Sequence, residues 1–338
     1  ASWLSERQRI AGVGGAAYIA SIISDTPAVS DVTVHAKIIL MKSRQRRVIE
    51  EAARIYTEGF SDVGDVEEWL ERADARLSRA AQVSGASKLH TMSEVIAKVA
   101  AEINQQCDEL GAPILGGCTG LRDLDDAVGP LRPGRHSVIG GFWGDGKSAL
   151  GLGCAISTAS AKDSAVLIVT VEMPEDELAT RAMFQRARID GRKAQPHRVT
   201  SIQDTEWQRL YAACRDLSRL PIYFDDRADM NPEMLQSSVR RAKAQAAKDG
   251  RTLRLVVVDY MQLIEGGSQR RKSGNREQEV AIVSRAMKRI AKAEGVHMMG
   301  IAQLNDDPNK TGKEARKPTS RDFRESKAIA MNADAVFL

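Results

Sequence analysis

Gly141-Phe142-Trp143-Gly144-Asp145-Gly146-Lys147-Ser148 is the stretch on which the fold turns. It fits G-x-x-x-x-G-K-[ST]. It follows an apolar β-type run, Ser137-Val138-Ile139-Gly140, and precedes a helical pattern over 148–160. Strand, glycine-rich loop and helix in that order are the context this spacing needs before it carries weight. Glycines let the backbone curl so that successive N–H groups point inward, and the following helix adds its own unsatisfied N-terminal donors, making an anion nest. In such a nest Lys147 is placed to reach the β- and γ-phosphates of a nucleotide, and the Ser148 hydroxyl to ligate Mg²⁺. Asp145 is the oddity: a carboxylate beside a triphosphate is repelled, so its side chain is expected to point away from the phosphates.

Outward from the loop, short β-branched runs alternate with helical patterns. The runs are Ala165 to Val171, Ile222-Tyr223-Phe224, Leu253 to Val258 and Val296 to Ile301, with helix-like segments around 175–189, 231–248 and 277–293. That alternation implies βαβ units and a mostly parallel sheet covered by helices on both faces. The stretch up to about Val83 is helical instead: Ala36 to Tyr56 repeats apolar residues every three or four positions, with Arg44, Arg46 and Arg47 between them. Gly14-Gly15 and Thr26-Pro27 punctuate it, which suggests a helical hairpin. Ser84-Gly85-Ala86-Ser87 reads as a linker, followed by an amphipathic helix from about Met92 to Leu110 with Thr91 or Ser93 as N-cap. The expected organisation is a helical domain over 1–87, a linker and linker helix over 88–112, and an α/β domain over 113–338.

Composition bounds the function. With 338 residues, 43% apolar and 28% charged, the chain has room for about two packed domains and is neither disordered nor fibrous. A net charge of +4 permits a nucleic-acid partner without arguing for one, and the charges over residues 1–90 cancel. Cys107, Cys118, Cys154 and Cys214 lie far apart without a CxxC pair, the pattern of reduced thiols in a cytoplasmic protein. Ile10 to Ser24, the longest uncharged apolar run, is too short to span a bilayer and lacks the order of a signal peptide. The chain opens at Ala1 and stops at Phe337-Leu338 inside a strand-like run, so both ends look cut.

Three polar strand ends complete the candidate site. Leu255-Val256-Val257-Val258-Asp259 is an apolar strand ending in a carboxylate suited to hold Mg²⁺ through water at the carboxyl edge of the sheet, where ligands of doubly wound folds sit. Glu172, ahead of Met173-Pro174, is a candidate general base for an attacking water. Val296 to Ala302 ends in Gln303, a neutral amide able to sense a γ-phosphate or, taken alone, equally a polar strand end.

Together these pieces resemble the replicative DnaB-type hexameric helicases, from roughly Gly14 to Leu338. Thr119-Gly120-Leu121, Leu124-Asp125 and Leu131-x-Pro133-Gly134 look like the family's lead-in to its phosphate loop. Val171-Glu172-Met173-Pro174 matches its S-L-E-M-P element, Asp259-Tyr260-Met261-Gln262-Leu263 its D-Y-L-Q-L strand and Ala302-Gln303-Leu304-Asn305 its S-Q-L-N sensor. Asn275-Arg276, Glu279-Val280, Ser284-Arg285 and Met287-Lys288 match the intervening helix. Lys317-Pro318 through Asp322-Phe323-Arg324-Glu325-Ser326, then Ala333-Asp334, resembles R-P-x-x-x-D-L-R-E-S-G.

The resemblance implies a RecA-like ATPase domain behind a partial helical collar. Gly141, Gly144, Asp145, Gly146, Lys147, Ser148 and Ala149 would bind the phosphates of ATP, Ser148 and Asp259 would bind Mg²⁺, and Glu172, Lys147 and Gln303 would be catalytic. It implies a homo-hexamer on single-stranded DNA with ATP between subunits, an arginine finger C-terminal to the last strand present, and a primase and a helicase loader as partners, with no membrane. Ring helicases grip the DNA backbone from central loops. Two candidate loops follow: Glu265–Arg276, with Arg270, Arg271, Lys272 and Arg276 against one acid, and Asp306–Lys327, with seven basic and five acidic residues. The R-E-S-G element points to Arg324 and Glu325. Lys327 stands where the family has glycine, and Asp306 where it usually has arginine. The competing readings are a RecA-like ATPase acting as a nucleotide-switched assembly device, and a scaffold that recruits primase or loader without unwinding.

Overall fold

The computed structural model describes residues 32–62, 64–81, 91–97, 99–100, 116–195, 197–265, 276–304, 317–323 and 328–338. The punctuation at 14–15 and 26–27, the 84–87 break and Cys107 lie outside the described residues. The chain divides into two compact units, Ala1–Leu89 and His90–Leu338.

In the first unit α1 (Val32–Glu58) and α2 (Val66–Ala81) pack as consecutive helices. An ion-pair cluster joins them. Arg76 of α2 reaches Glu58 at 2.6 Å and Glu51 at 3.0 Å on α1, and these carboxylates raise its guanidinium above the ordinary range. Ile38, Ile39, Leu40, Met41, Ile49 and Tyr56 remain exposed on α1.

The second unit is built on one parallel sheet. After a helical stretch at 92–97, capped reciprocally by Thr91 and Glu94, come α3 (Arg122–Val128), β1 (His136–Gly141), α4 (Lys147–Ser160), β2 (Ser164–Thr170) and α5 (Glu175–Ala187). Then follow α6 (Asp204–Leu217), β3 (Ile222–Asp225), α7 (Pro232–Lys248), β4 (Thr252–Asp259), α8 (Arg276–Glu294), β5 (His297–Gln303), α9 (Ala328–Asn332) and β6 (Ala335–Phe337). The strand order is β3-β2-β4-β5-β1-β6, every pair parallel.

Strands buried on both faces read as continuous apolar runs, which is why the sequence showed them so clearly. Alternate side chains serve two cores. Val138, Leu167, Val256 and Met298 pack under α7, α8 and α9, while Ile139, Ile168, Val257 and Ile301 pack under α4 and α5. The 190–221 region carries an element that the periodicity reading passed over. Helix α6, opened by a Gln203–Glu206 capping box, shares a small third core with α5 through Phe184, Ile189, Ile202 and Leu210.

The amino edge of the sheet is tied by buried polar groups. His297 Nδ1 donates to Arg132 O (3.0 Å), so its Nε2 accepts the Ser137 hydroxyl (2.8 Å). Asp334 accepts the His136 N–H at 2.7 Å and pairs with Arg135 and Lys288. Lys288 and Asp334, both in family-like motifs, therefore join α8, β1 and the approach to β6 at the edge away from the phosphate loop.

Candidate active site

Gly141, Thr170, Asp259 and Gln303 end β1, β2, β4 and β5, so the strands deliver the loop, the acids and the amide to one carboxyl edge. Register enforces this: Gly141 lies opposite Gln303, and Thr170 opposite Asp259.

The loop between β1 and α4 turns on two left-handed glycines, Gly144 (φ 89°) and Gly146 (φ 83°), a conformation that costs other residues steric strain. Gly146 caps α4 with no side chain on the helix N–H groups, leaving first-turn donors open to an anion. Asp145 folds back, its Oδ2 accepting the Phe142 N–H at 2.8 Å, so the charge is held by a backbone donor of the loop itself. Lys147 Nζ donates to Phe142 O at 2.7 Å. Burial holds the Lys147 ammonium below its ordinary range, against the opposing pull of Asp145, Asp259 and Glu172. Trp143, at the loop tip, is 83% exposed.

Asp259 is 4% exposed. Burial pushes its carboxyl above the usual carboxylate range and Glu172 adds to this, while a hydrogen bond from the Ser148 hydroxyl, together with Lys147 and Arg181, works the other way. Its Oδ1 is buried without a hydrogen-bond partner. A buried acceptor without a donor, beside a serine hydroxyl, fits a hydrated divalent cation. Glu172 stands exposed just beyond β2. The turn that presents it is fixed by Thr170, whose hydroxyl donates to Met173 O (2.6 Å) and accepts the Met173 N–H (3.2 Å).

Gln303 is gripped by a residue that was quoted in a motif but given no role. Gln262, 3% exposed, donates from Nε2 to Gln303 O and accepts the Gln303 N–H at Oε1, both at 3.0 Å. A lone amide in the apolar run Met261-Gln262-Leu263-Ile264 was the available signal. The lead-in motif also has a mechanical reading. Asp125 accepts the Thr119 N–H and hydroxyl at 2.8 Å each, and Thr158 of α4 anchors Cys118 at 3.1 Å. Arg276, although exposed, bonds within the protein, to Gln262 O and to Glu279 at 2.9 Å. Arg270, Arg271, Lys272, Asp306, Arg324, Glu325 and Lys327 lie outside the described residues. Among the described residues no group of three or more His, Cys, Asp or Glu could hold a metal ion, and Cys118, Cys154 and Cys214 are free thiols.

A parallel sheet of this order, with a phosphate loop after β1 and polar residues ending the neighbouring strands, defines a RecA-like ATPase. The chain belongs to the DnaB-like helicase C-terminal domain family, which matches residues 116–338. It is similar to the replicative DNA helicase DnaC of Bacillus subtilis (strain 168), at 28% identity over 335 residues, covering 99% of this chain and 71% of that one. It is also similar to the replicative DNA helicase DnaB of Leifsonia xyli subsp. xyli (strain CTCB07), at 27% over 335 residues, covering 99% and 70%. A solved DnaB-like replicative helicase superposes with a TM-score of 0.63 at 21% identity, covering 99% of this chain and 75% of that one, and shares the fold. Membership makes this chain an ATP-hydrolysing helicase and sets aside the scaffold without unwinding.

Proposed function

We propose that the chain is the motor of a replicative DNA helicase ring, hydrolysing ATP at the carboxyl edge of its sheet to travel along single-stranded DNA and part the duplex. The observation that carries the site assignment is the convergence there of Lys147, the Ser148–Asp259 hydrogen bond and Glu172.

The triphosphate lies on the loop from Gly141 to Gly146 and on the first N–H groups of α4 at Lys147, Ser148 and Ala149, with the Lys147 ammonium exchanging Phe142 O for phosphate oxygen. Ser148 and the unpartnered oxygen of Asp259 would hold Mg²⁺, which when bound neutralises charge across the β- and γ-phosphates. Glu172 takes a proton from water, and the resulting hydroxide forms the new bond to the γ-phosphorus as the bond to the leaving ADP breaks. Gln303 faces the γ-phosphate as sensor.

Arg270, Arg271, Arg276, Arg324, Glu325 and Lys327 are proposed to contact the DNA backbone. We further propose a homo-hexamer with a collar over 1–87, a linker over 88–112 and a motor over 113–338, working in the cytoplasm with primase and a loader. The solved relative is a helicase described with its interactions with primase, which supports the first of those partners. No helix among the described residues is long and apolar enough to cross a membrane.

The test is hydrolysis and strand displacement by the full-length protein. Lys147→Ala should abolish both. Glu172→Gln should retain ATP while turnover falls by about 10²-fold or more. Undiminished hydrolysis by Glu172→Gln contradicts the base, and hydrolysis indifferent to single-stranded DNA with no strand displaced contradicts the motor.

A further inference from the structure

We propose that Gln262 is the positioning residue of the γ-phosphate sensor, fixing the main chain of Gln303, and that Arg276 in turn fixes Gln262. The inference deepens the ATPase reading above and rests on it.

The argument starts from register. β4 and β5 are paired up to Val258 opposite Gly300. β4 then ends at Asp259, whereas β5 runs on to Gln303, two residues further along the shared direction. On its other side Gln303 lies opposite Gly141 at the mouth of the phosphate loop, where Leu304 N donates to Gly141 O at 3.1 Å. In a parallel strand the N–H and C=O of alternate residues face opposite neighbours. With Leu304 bonded toward β1, the polar main-chain atoms of Gln303 face the β4 side, where no strand remains. Buried main-chain groups need partners.

The Gln262 amide supplies both. One planar group makes two opposed 3.0 Å bonds to one residue, Nε2 to Gln303 O and Oε1 from Gln303 N, as a further strand would. A single bond would hold only one of the two peptide groups that flank the Gln303 Cα; two hold both, and so fix the Cα between them. The side chain carried by that Cα is the proposed sensor, and displacement of a reacting group by 1 Å is enough to slow an enzyme about 10²-fold.

Gln262 is itself held. It sits in a single 3₁₀ turn, Met261–Leu263, and its carbonyl accepts from the Arg276 guanidinium, whose other arm pairs with Glu279 at 2.9 Å. Arg276 opens α8 and closes the basic stretch proposed for DNA, so this contact places the first residue of α8 one hydrogen bond from the residue that sets the sensor.

The experiment measures kcat and KM for ATP in the full-length protein, with and without single-stranded DNA, for wild type, Lys147→Ala, Gln262→Met and Gln262→Glu. Gln262→Met removes both bonds at similar volume and is expected to lower DNA-stimulated kcat by about tenfold or more with KM changed less than twofold. Gln262→Glu keeps the acceptor but donates to Gln303 O only when protonated, so its kcat relative to wild type should climb as pH falls from 8 to 6. A residue that merely stabilises the fold would shift the melting temperature without this split or profile. Gln262→Met with wild-type kcat, or, where that variant does not fold, a Gln262→Glu ratio flat with pH, overturns the proposal while Lys147→Ala remains inactive. Full hydrolysis by Lys147→Ala would instead refute the site reading, and this proposal with it.

Discussion

Replacing Asp145 with asparagine should tighten ATP binding, and the structure gives the size. Asp145 Oδ2 lies 2.8 Å from Phe142 N, and Lys147 Nζ lies 2.7 Å from Phe142 O. With both groups bound to one residue, the carboxylate and the ammonium are held within roughly 9 Å of each other. A phosphate charge seated at that ammonium is repelled by the carboxylate by about 0.5 kcal/mol at the dielectric of water and by about 2 kcal/mol at an effective value near 20. The middle of that range, about 1 kcal/mol, is roughly a fivefold change in Kd. Asparagine keeps an Oδ acceptor for the Phe142 N–H and removes only the charge. Asp145→Ala removes the bond as well and should give back about 1 kcal/mol of loop order, leaving affinity near wild type. Titration of a fluorescent ATP analogue at about 0.05 M and 0.5 M salt separates the contributions, because screening acts on the charge and not on the hydrogen bond. If Asp145→Asn binds no more tightly than wild type at low salt, the carboxylate does not act on the triphosphate and the reasoning fails.

Two further outcomes can be measured. Burial holds both His136 and His297 down to about 4, whereas in an unfolded chain they titrate near 6.5. The unfolded state therefore binds protons first, so stability is whole above about pH 6.5 and is lost as pH falls toward about 4, by roughly 3 kcal/mol per imidazole. Urea midpoints at pH 7.5 and 5 test this: His297→Gln should shallow the slope, and equal wild-type midpoints would contradict it. For the DNA path, Arg324→Ala should reduce the salt slope of single-strand binding by about 0.7, the value of one released counterion. Unchanged affinity and slope would remove Arg324 from that path.

How much of this was legible beforehand depended on where the information sits. Short apolar runs revealed the strands, and the glycine spacing revealed the loop, because both signals are carried by residue type. Strand order was not legible, because Val138 and Val256 look alike in sequence although they lie on strands separated by β5. Motif resemblance singled out residues without saying which edge they serve: Lys288 and Asp334 meet at the amino edge, while Gln262 and Gln303 meet at the carboxyl edge. Arg276 is a DNA candidate because charge in a basic run suggests phosphate, but nothing in the sequence tells that its guanidinium also has a main-chain oxygen and Glu279 within the protein. The deepest reason concerns partners. A side chain that bonds to another side chain leaves two letters to find, but Gln262 bonds to the main chain of Gln303, and those atoms are the same in nearly every residue. Its role is fixed by an inequality of strand ends: had β4 continued two residues beyond Asp259, it would have met the Gln303 peptide itself, and a buried amide at position 262 would have had nothing to satisfy.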